Sequence, residues 1–154
     1  QFSAIKKVMT ESDLEIFLHT FDLCYRKDDP LNPYGELGEY LNAARTAWQK
    51  HHASNSIQYF MAYENNEPVA VATLTNHNGL GYISNVGSIL KVRGKGFGKL
   101  ATLYCVHQSQ LNGNSVHSLA TEEGTNPHAF YTALGFKTRF TTLLLSKKEG
   151  ILTA

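Results

Sequence analysis

Residues 89 to 102 read ILKVRGKGFGKLAT, an apolar run that passes through three alternating glycines, Gly94, Gly96 and Gly98, into a helical pattern. Ordering a glycine costs more conformational entropy than ordering any other residue, so three of them at every second position need a compensating interaction. A glycine-rich turn that opens a helix supplies one. Its backbone N–H groups have no intrahelical acceptor, and with the helix dipole they make a site for phosphate or pyrophosphate. The stretch also constrains topology: strand, loop, helix and strand in succession form a crossover, which sets the two strands parallel where they are neighbours.

The remaining elements follow from periodicity. FSAIKKV opens as a short strand, and TESDLEIFLHTFDLCY sets Leu14, Phe17, Leu18, Phe21 and Tyr25 at helical spacing behind Thr10 or Ser12 as cap. RKDDPLNPYGELG is a loop by its Pro, Asn, Asp and Gly content. ELGEYLNAARTAWQKHH returns to helix, with Leu37, Leu41, Ala44 and Trp48 on one face. IQYFMAY, PVAVATLTN and GYISNVGSIL then read as strands separated by the hairpin signals ENNE and HNGLG. Beyond the glycine loop a helix carries Phe97, Leu100, Ala101, Tyr104 and Leu111 as far as NGN. SVHSLAT is a strand, NPHAFYTALG a short helix with Asn126 as cap and Pro127 first in the helix, and FKTRFTTLLLS a long final strand. The expected class is α+β, with a mixed, mostly antiparallel sheet and about four helices in a single domain over residues 1–154.

Composition narrows the partners. A chain of 154 residues, 42% hydrophobic and 18% charged, is large enough for one domain with its own core. Its formal net charge of +1 offers no basic field for nucleic acid, and its longest apolar runs fall far short of the roughly 20 residues of a membrane span. Cys24 and Cys105 lie in apolar helical patterns without CxxC spacing, so they read as buried thiols in a reducing, cytoplasmic setting. No basic-then-apolar leader opens the chain; residue 1 is Gln, so the chain is expected to derive from a longer one. No metal is expected: the adjacent His51 and His52 point in different directions on a helix.

Two familiar phosphate loops fail on this stretch. A Walker loop needs Ser or Thr after its lysine, where Leu100 follows Lys99, and the dinucleotide fingerprint would need a third glycine at Lys99. Instead, NVGSILKVRGKGFGKLA resembles the signature of the GNAT superfamily of N-acetyltransferases, in which Arg or Gln is followed, after two residues, by Gly, one residue, and Gly or Ala; Arg93, Gly96 and Gly98 match it. NPHAFYTALGF is similar to that family's second motif, with Tyr131 four residues before Gly135-Phe136. The resemblance covers residues 57 to 145 well. It implies that the strands near residues 82–90 and 115–121 splay apart to admit the pantetheine arm of acetyl-CoA. Backbone groups of Ser88, Ile89 and Leu90 would line the arm, and the amides of Gly94, Lys95, Gly96, Phe97, Gly98 and Lys99 would take the pyrophosphate, with Arg93, Lys95 and Lys99 adding charge.

Acyl transfer to an amine needs an acid for the departing thiol, an oxyanion donor and a route for the amine proton. Tyr131 matches the family's general acid, and a backbone N–H near Ser88 or Ile89 is the expected oxyanion donor. No carboxylate stands on GYISNVGSIL; Glu122, with Glu123 beside it, is the candidate base. The acceptor, an amine of a small molecule, amino acid or peptide, would be selected by the first two helices and the polar loop between them, which holds Asp28, Asp29, Glu36 and Glu39. The alternative is a non-catalytic module that senses acyl-CoA or serves as an interaction domain. A homodimer is left open.

Overall fold

The computed structural model describes residues 2–32 and 34–145. Among the described residues five strands and four helices follow one another as β1 (Ile5–Lys7), α1 (Glu11–Cys24), α2 (Tyr40–His51), β2 (Ile57–Glu64), β3 (Glu67–His77), β4 (Leu80–Ser88), α3 (Phe97–Leu111), β5 (Val116–Ser118) and α4 (Asn126–Ala133), with a 3-10 turn at Leu90–Val92. Sheet order is β1-β2-β3-β4-β5, antiparallel up to β4 and parallel between β4 and β5. This is the mixed α+β sheet expected from the crossover.

Local chemistry sets the helix starts. Thr10 caps α1: its hydroxyl accepts from the Asp13 N–H at 3.1 Å, while the Asp13 carboxylate accepts from the Thr10 N–H at 3.0 Å. The same carboxylate accepts from the Met9 N–H, and these bonds hold its pKa below the usual carboxylate range. At α4 the cap is Thr125, whose hydroxyl accepts from the His128 N–H, so Asn126 and Pro127 both lie inside the first turn. The expected Asn126 cap is thus displaced by one residue, because the threonine hydroxyl also donates to the Glu122 carbonyl and ties the turn to the helix.

The sheet is covered on both faces. On one, α1 and α2 bury Leu14, Phe17, Phe21 and Trp48 against Tyr59, Met61 and Val71. On the other, α3 packs Ala101 and Cys105 against Phe60, Ala72, Leu74 and Ile83. Each fully buried large side chain contributes about 2–3 kcal/mol of transfer free energy, so the two layers hold the sheet firmly between them. Both cysteines are free and buried, and burial pushes the Cys24 thiol up to about 12.

Two sequence expectations change. Pairing of β4 with β5 covers only Leu80–Tyr82 with Val116–Ser118, shorter than the runs read from the sequence. Residues 137–145 of the expected final strand form no strand, and Ser146 lies outside the described residues. Phe140, Leu143, Leu144 and Leu145 are consequently exposed, because β-propensity specifies a strand only where a partner edge is within reach. Among the described residues, no helix is long and apolar enough to cross a membrane, and no group of three or more His, Cys, Asp or Glu side chains could hold a metal ion.

Candidate active site

β4 is the element around which the site forms. Parallel pairing ends at Tyr82, yet the strand continues to Ser88, so six residues present an edge with no strand beside it among the described residues. Such an edge carries unpaired N–H and C=O groups. Midway along, register passes from Thr73↔Ser84 to Val71↔Gly87, so Asn85 and Val86 both stand opposite Ala72. This bulge, with Asn85 at φ +53°, bends the strand just beyond the point where its pairing with β5 ends. The Tyr25 hydroxyl, delivered by α1, donates to the Val86 carbonyl at 2.9 Å and fixes the bend. Gly87 allows α1 to come that close: a Cβ there would stand 2.6 Å from Cys24 Cβ.

Beyond the bulge, the Ile89 N–H donates to the Val69 carbonyl at 3.0 Å. Ile89 is therefore in a hydrogen-bonded pair with Val69, and one residue earlier the amide of Ser88, opposite Ala70, faces the open edge. Of the two expected oxyanion donors, Ile89 is thus already committed within the sheet.

The chain then turns through Leu90–Val92 into the glycine loop. Gly96 caps α3 at φ +91°, a left-handed conformation that glycine alone adopts freely. The amides of Gly96, Phe97, Gly98 and Lys99 donate to no backbone carbonyl among the described residues and point outward from the helix start. Gly98 has neither a positive φ nor a crowded Cβ position: its nearest neighbour there would be Phe130 Cζ at 3.8 Å. Nothing among the described residues requires glycine at this point. The same contact brings α4 against the start of α3, and with it Tyr131.

Basic side chains divide in role. Lys95 pairs with Glu64 at 3.2 Å on the surface, and Lys99 is exposed. Arg93 instead turns inward. Its guanidinium pairs with Asp29 and donates to the carbonyls of Ser88 and Cys24, each at 3.4 Å. Asp29 is 7% exposed, and its other oxygen accepts from the Leu31 N–H at 3.0 Å. Burial raises the Asp29 pKa, but the Arg93 guanidinium and the Leu31 N–H outweigh it and leave the carboxyl below its usual range. Arg93 thereby joins the glycine loop to the α1–α2 loop, a link that the sequence spacing does not reveal.

Tyr131 is half-buried, stacked edge-on with Phe130 and Phe136 at 5.0 and 6.0 Å, and its hydroxyl has no hydrogen-bond partner among the described residues. Burial pushes its pKa well up, with smaller contributions from Tyr34, Cys105 and Tyr82. Phe136 packs against the core cluster that holds Ile83 of β4 and Cys105 of α3, so α4 brings the phenol toward the layer formed by α3 and β4. Tyr34, exposed on the α1–α2 loop, reaches across to Thr121 Oγ1 at 3.1 Å. Glu122 and Glu123 lie exposed in the turn before α4, and neither lines the groove beside α2 nor the cleft at the α1–α2 loop.

The fold is shared by solved structures of low sequence identity. An aminoglycoside antibiotic 6′-N-acetyltransferase from Acinetobacter haemolyticus superposes with a TM-score of 0.68 at 15% identity, covering 95% of this chain and 99% of that one. A predicted acetyltransferase with acetyl-CoA from Clostridium acetobutylicum gives 0.65 at 18%, covering 92% and 94%. A transcriptional regulator from Bacillus halodurans gives 0.69 at 22%, covering 93% and 98%. No curated protein matches the chain significantly. These likenesses define the fold as that of acetyltransferases of this type. Residues 15–136 match the model of the acetyltransferase (GNAT) family, and the chain belongs to that family. It is a GNAT-family acetyltransferase, and the family uses acetyl-CoA and acetylates amines.

Proposed function

We propose that this chain, as a single domain, binds acetyl-CoA with its pyrophosphate on the amides of Gly94, Gly96, Phe97, Gly98 and Lys99, the expected Lys95 amide being already bonded to the Val92 carbonyl at 3.1 Å, and its pantetheine arm along the open edge of β4. The acetyl group then passes directly to an amine. The observation that carries this reading is Gly98. Glycine is among the poorest helix formers, and at this position neither φ nor crowding among the described residues accounts for it. Close approach by a ligand does. Ser88 offers its amide to the arm, while Leu90 and Ile89 shape the turn that leads to the phosphate site. Arg93 braces that turn from within, and Lys95 and Lys99 supply surface charge.

In the reaction the amine nitrogen attacks the thioester carbon, and an oxyanion forms that free N–H groups on the β4 edge stabilise. As the C–S bond breaks, the Tyr131 phenol gives its proton to the leaving sulfur and regains one from solvent, while the nitrogen loses its extra proton. A phenol is protonated at neutral pH and so has the proton to give; burial, which raises its pKa, makes it the weaker acid, so the transfer relies on the phenol standing against the sulfur as the C–S bond breaks.

Two measurements test the reading: acetyl-CoA binding by calorimetry and thiol release with amine acceptors. Gly98→Val adds branches into the space proposed for phosphate with little internal contact, so it should cut acetyl-CoA affinity at least tenfold while the fold is retained. Unchanged affinity in the folded variant would remove the assignment. Binding without thiol release for any amine would favour the sensor reading.

A further inference from the structure

A groove of about 290 Å³ opens between α2 and the sheet, beside the point where β4 leaves β5. We propose that it receives the acceptor, that the acceptor is a weakly basic amine on an uncharged, hydroxyl-bearing body, and that this amine attacks as its free base without a protein carboxylate to deprotonate it. The proposal rests on the acetyl-transfer reading above and names the substrate class for it.

Position comes first. An arm laid along β4 from the glycine loop runs back from Ser88 toward Ile83, so its acyl end arrives near the bulge. Tyr82, Ser84 and Asn85 stand there and line the groove.

The chemistry of the walls indicates the occupant. Thr73 lies directly opposite Ser84, and Thr75 opposite Tyr82, so four hydroxyls share one face of the sheet. Asn85 Nδ2 donates to Thr73 Oγ1 at 3.1 Å, and the Tyr40 hydroxyl donates to Asn85 Oδ1 at 3.2 Å. The hydroxyls of Thr75, Tyr82 and Ser84 have no partner among the described residues. Opposite them, Ala43, Ala44 and Ala47 of α2 keep the roof thin and leave room for a ligand. A surface of free hydroxyls facing methyl groups matches a polyol-like body, whose own donors and acceptors it can satisfy.

Charge gives the second half. The titratable groups lining the groove are phenols: Tyr40 from α2, Tyr59 from β2, whose hydroxyl donates to the Ala44 carbonyl, and Tyr82 from β4. Among the described residues, no carboxylate, imidazole or lysine lines it. Asp22, Asp28 and Glu36 line a separate, larger cleft of about 550 Å³, together with Arg26 and Lys27. An ammonium placed among hydroxyls and methyls loses hydration without gaining a counter-charge, so this groove selects the neutral amine. At pH 7 an α-amine of pKa about 8 is neutral in roughly one molecule in ten, and an ε-amine of about 10.4 in fewer than one in a thousand.

Thiol release from acetyl-CoA should be measured with glucosamine, glycinamide and Nα-acetyl-lysine amide between pH 6 and 9. At pH 7 the first two should exceed the lysine amide in kcat/KM by about 10²-fold, and the acidic limb should shift with the acceptor's own pKa. Ala47→Leu, which fills the groove, should lower kcat/KM for glucosamine at least tenfold with acetyl-CoA affinity unchanged. Ser84→Ala, on the half-exposed wall, should raise its KM several-fold should the larger substitution misfold. A preference for the lysine amide would overturn the proposal. So would an acidic limb common to all acceptors, its loss in Glu122→Gln, or a tenfold rise in KM for glucosamine in Asp22→Asn with Glu36→Gln. Failure to bind acetyl-CoA would instead refute the transfer reading on which the proposal rests.

Discussion

Asp29→Asn isolates the contact between the glycine loop and the α1–α2 loop. The substitution keeps shape and the acceptor for the Leu31 N–H, but it removes the charge facing Arg93. Fully buried pairs lose about 3–5 kcal/mol when one partner is removed, and exposed pairs about 0–1 kcal/mol. Here the Asp29 side chain is 4% exposed and that of Arg93 24%, nearer the buried limit, and the guanidinium would retain only two long bonds to carbonyls. A loss of about 2–3 kcal/mol is expected, which in a domain of this size lowers Tm by roughly 5–10 °C. Urea titration should show it as a lower midpoint at constant m. Arg93→Met should lose a similar amount, and the double variant should recover at least about 1 kcal/mol of the sum. The sign with pH follows from the depressed carboxyl. Its stabilisation is complete above the unfolded pKa of about 3.9 and is lost as pH falls through the folded pKa, so wild type and Asp29→Asn should converge in acid. Because Arg93 turns inward, weaker acetyl-CoA binding in Arg93→Met should be insensitive to salt. A loss below about 0.5 kcal/mol in Asp29→Asn, or additive single variants, would refute the clamp.

Tyr131→Phe should fold normally and bind acetyl-CoA, with kcat and kcat/KM both about 10²-fold lower; wild-type turnover on a good acceptor would return the ring to packing alone. Gly87→Ala should cost about 1–3 kcal/mol in chemical denaturation, since its Cβ would stand 2.6 Å from Cys24 Cβ and 3.0 Å from Tyr25 Cε2, and an unaffected midpoint would mean that α1 yields freely. Lys95→Ala should change stability by no more than about 0.5 kcal/mol, because its pair with Glu64 is exposed, and should weaken acetyl-CoA binding more at low salt than at high. A stability loss above about 1 kcal/mol would show that the pair holds the loop.

Elements with a strong local signal were legible without the structure. The apolar stripe of α1, the Asn-bearing hairpins and the glycines before α3 carry their conformation in short windows, where periodicity, turn chemistry and backbone freedom act directly. The parallel β4–β5 pair followed from topology alone. The last strand was misread for the converse reason: FKTRFTTLLLS has the composition of a strand, and whether residues 137–145 pair depends on an edge elsewhere in the fold.

The family also followed from the sequence, since two motifs in fixed order, Arg93–Gly98 and Tyr131–Phe136, report backbone geometry that only a few residue types allow. Asp29 looked like one more polar residue in a polar loop. Burial against Arg93, at a separation of 64 residues, is decided only when α1 lies across the bulge in β4. Likewise Thr73, Thr75 and Ser84 read as ordinary strand residues, and they become one hydroxyl-lined wall through cross-strand register and the helix above it. Local pattern encodes what each segment can be; which side chains end up within hydrogen-bond reach depends on long-range packing, and the choice of acceptor lies at that level.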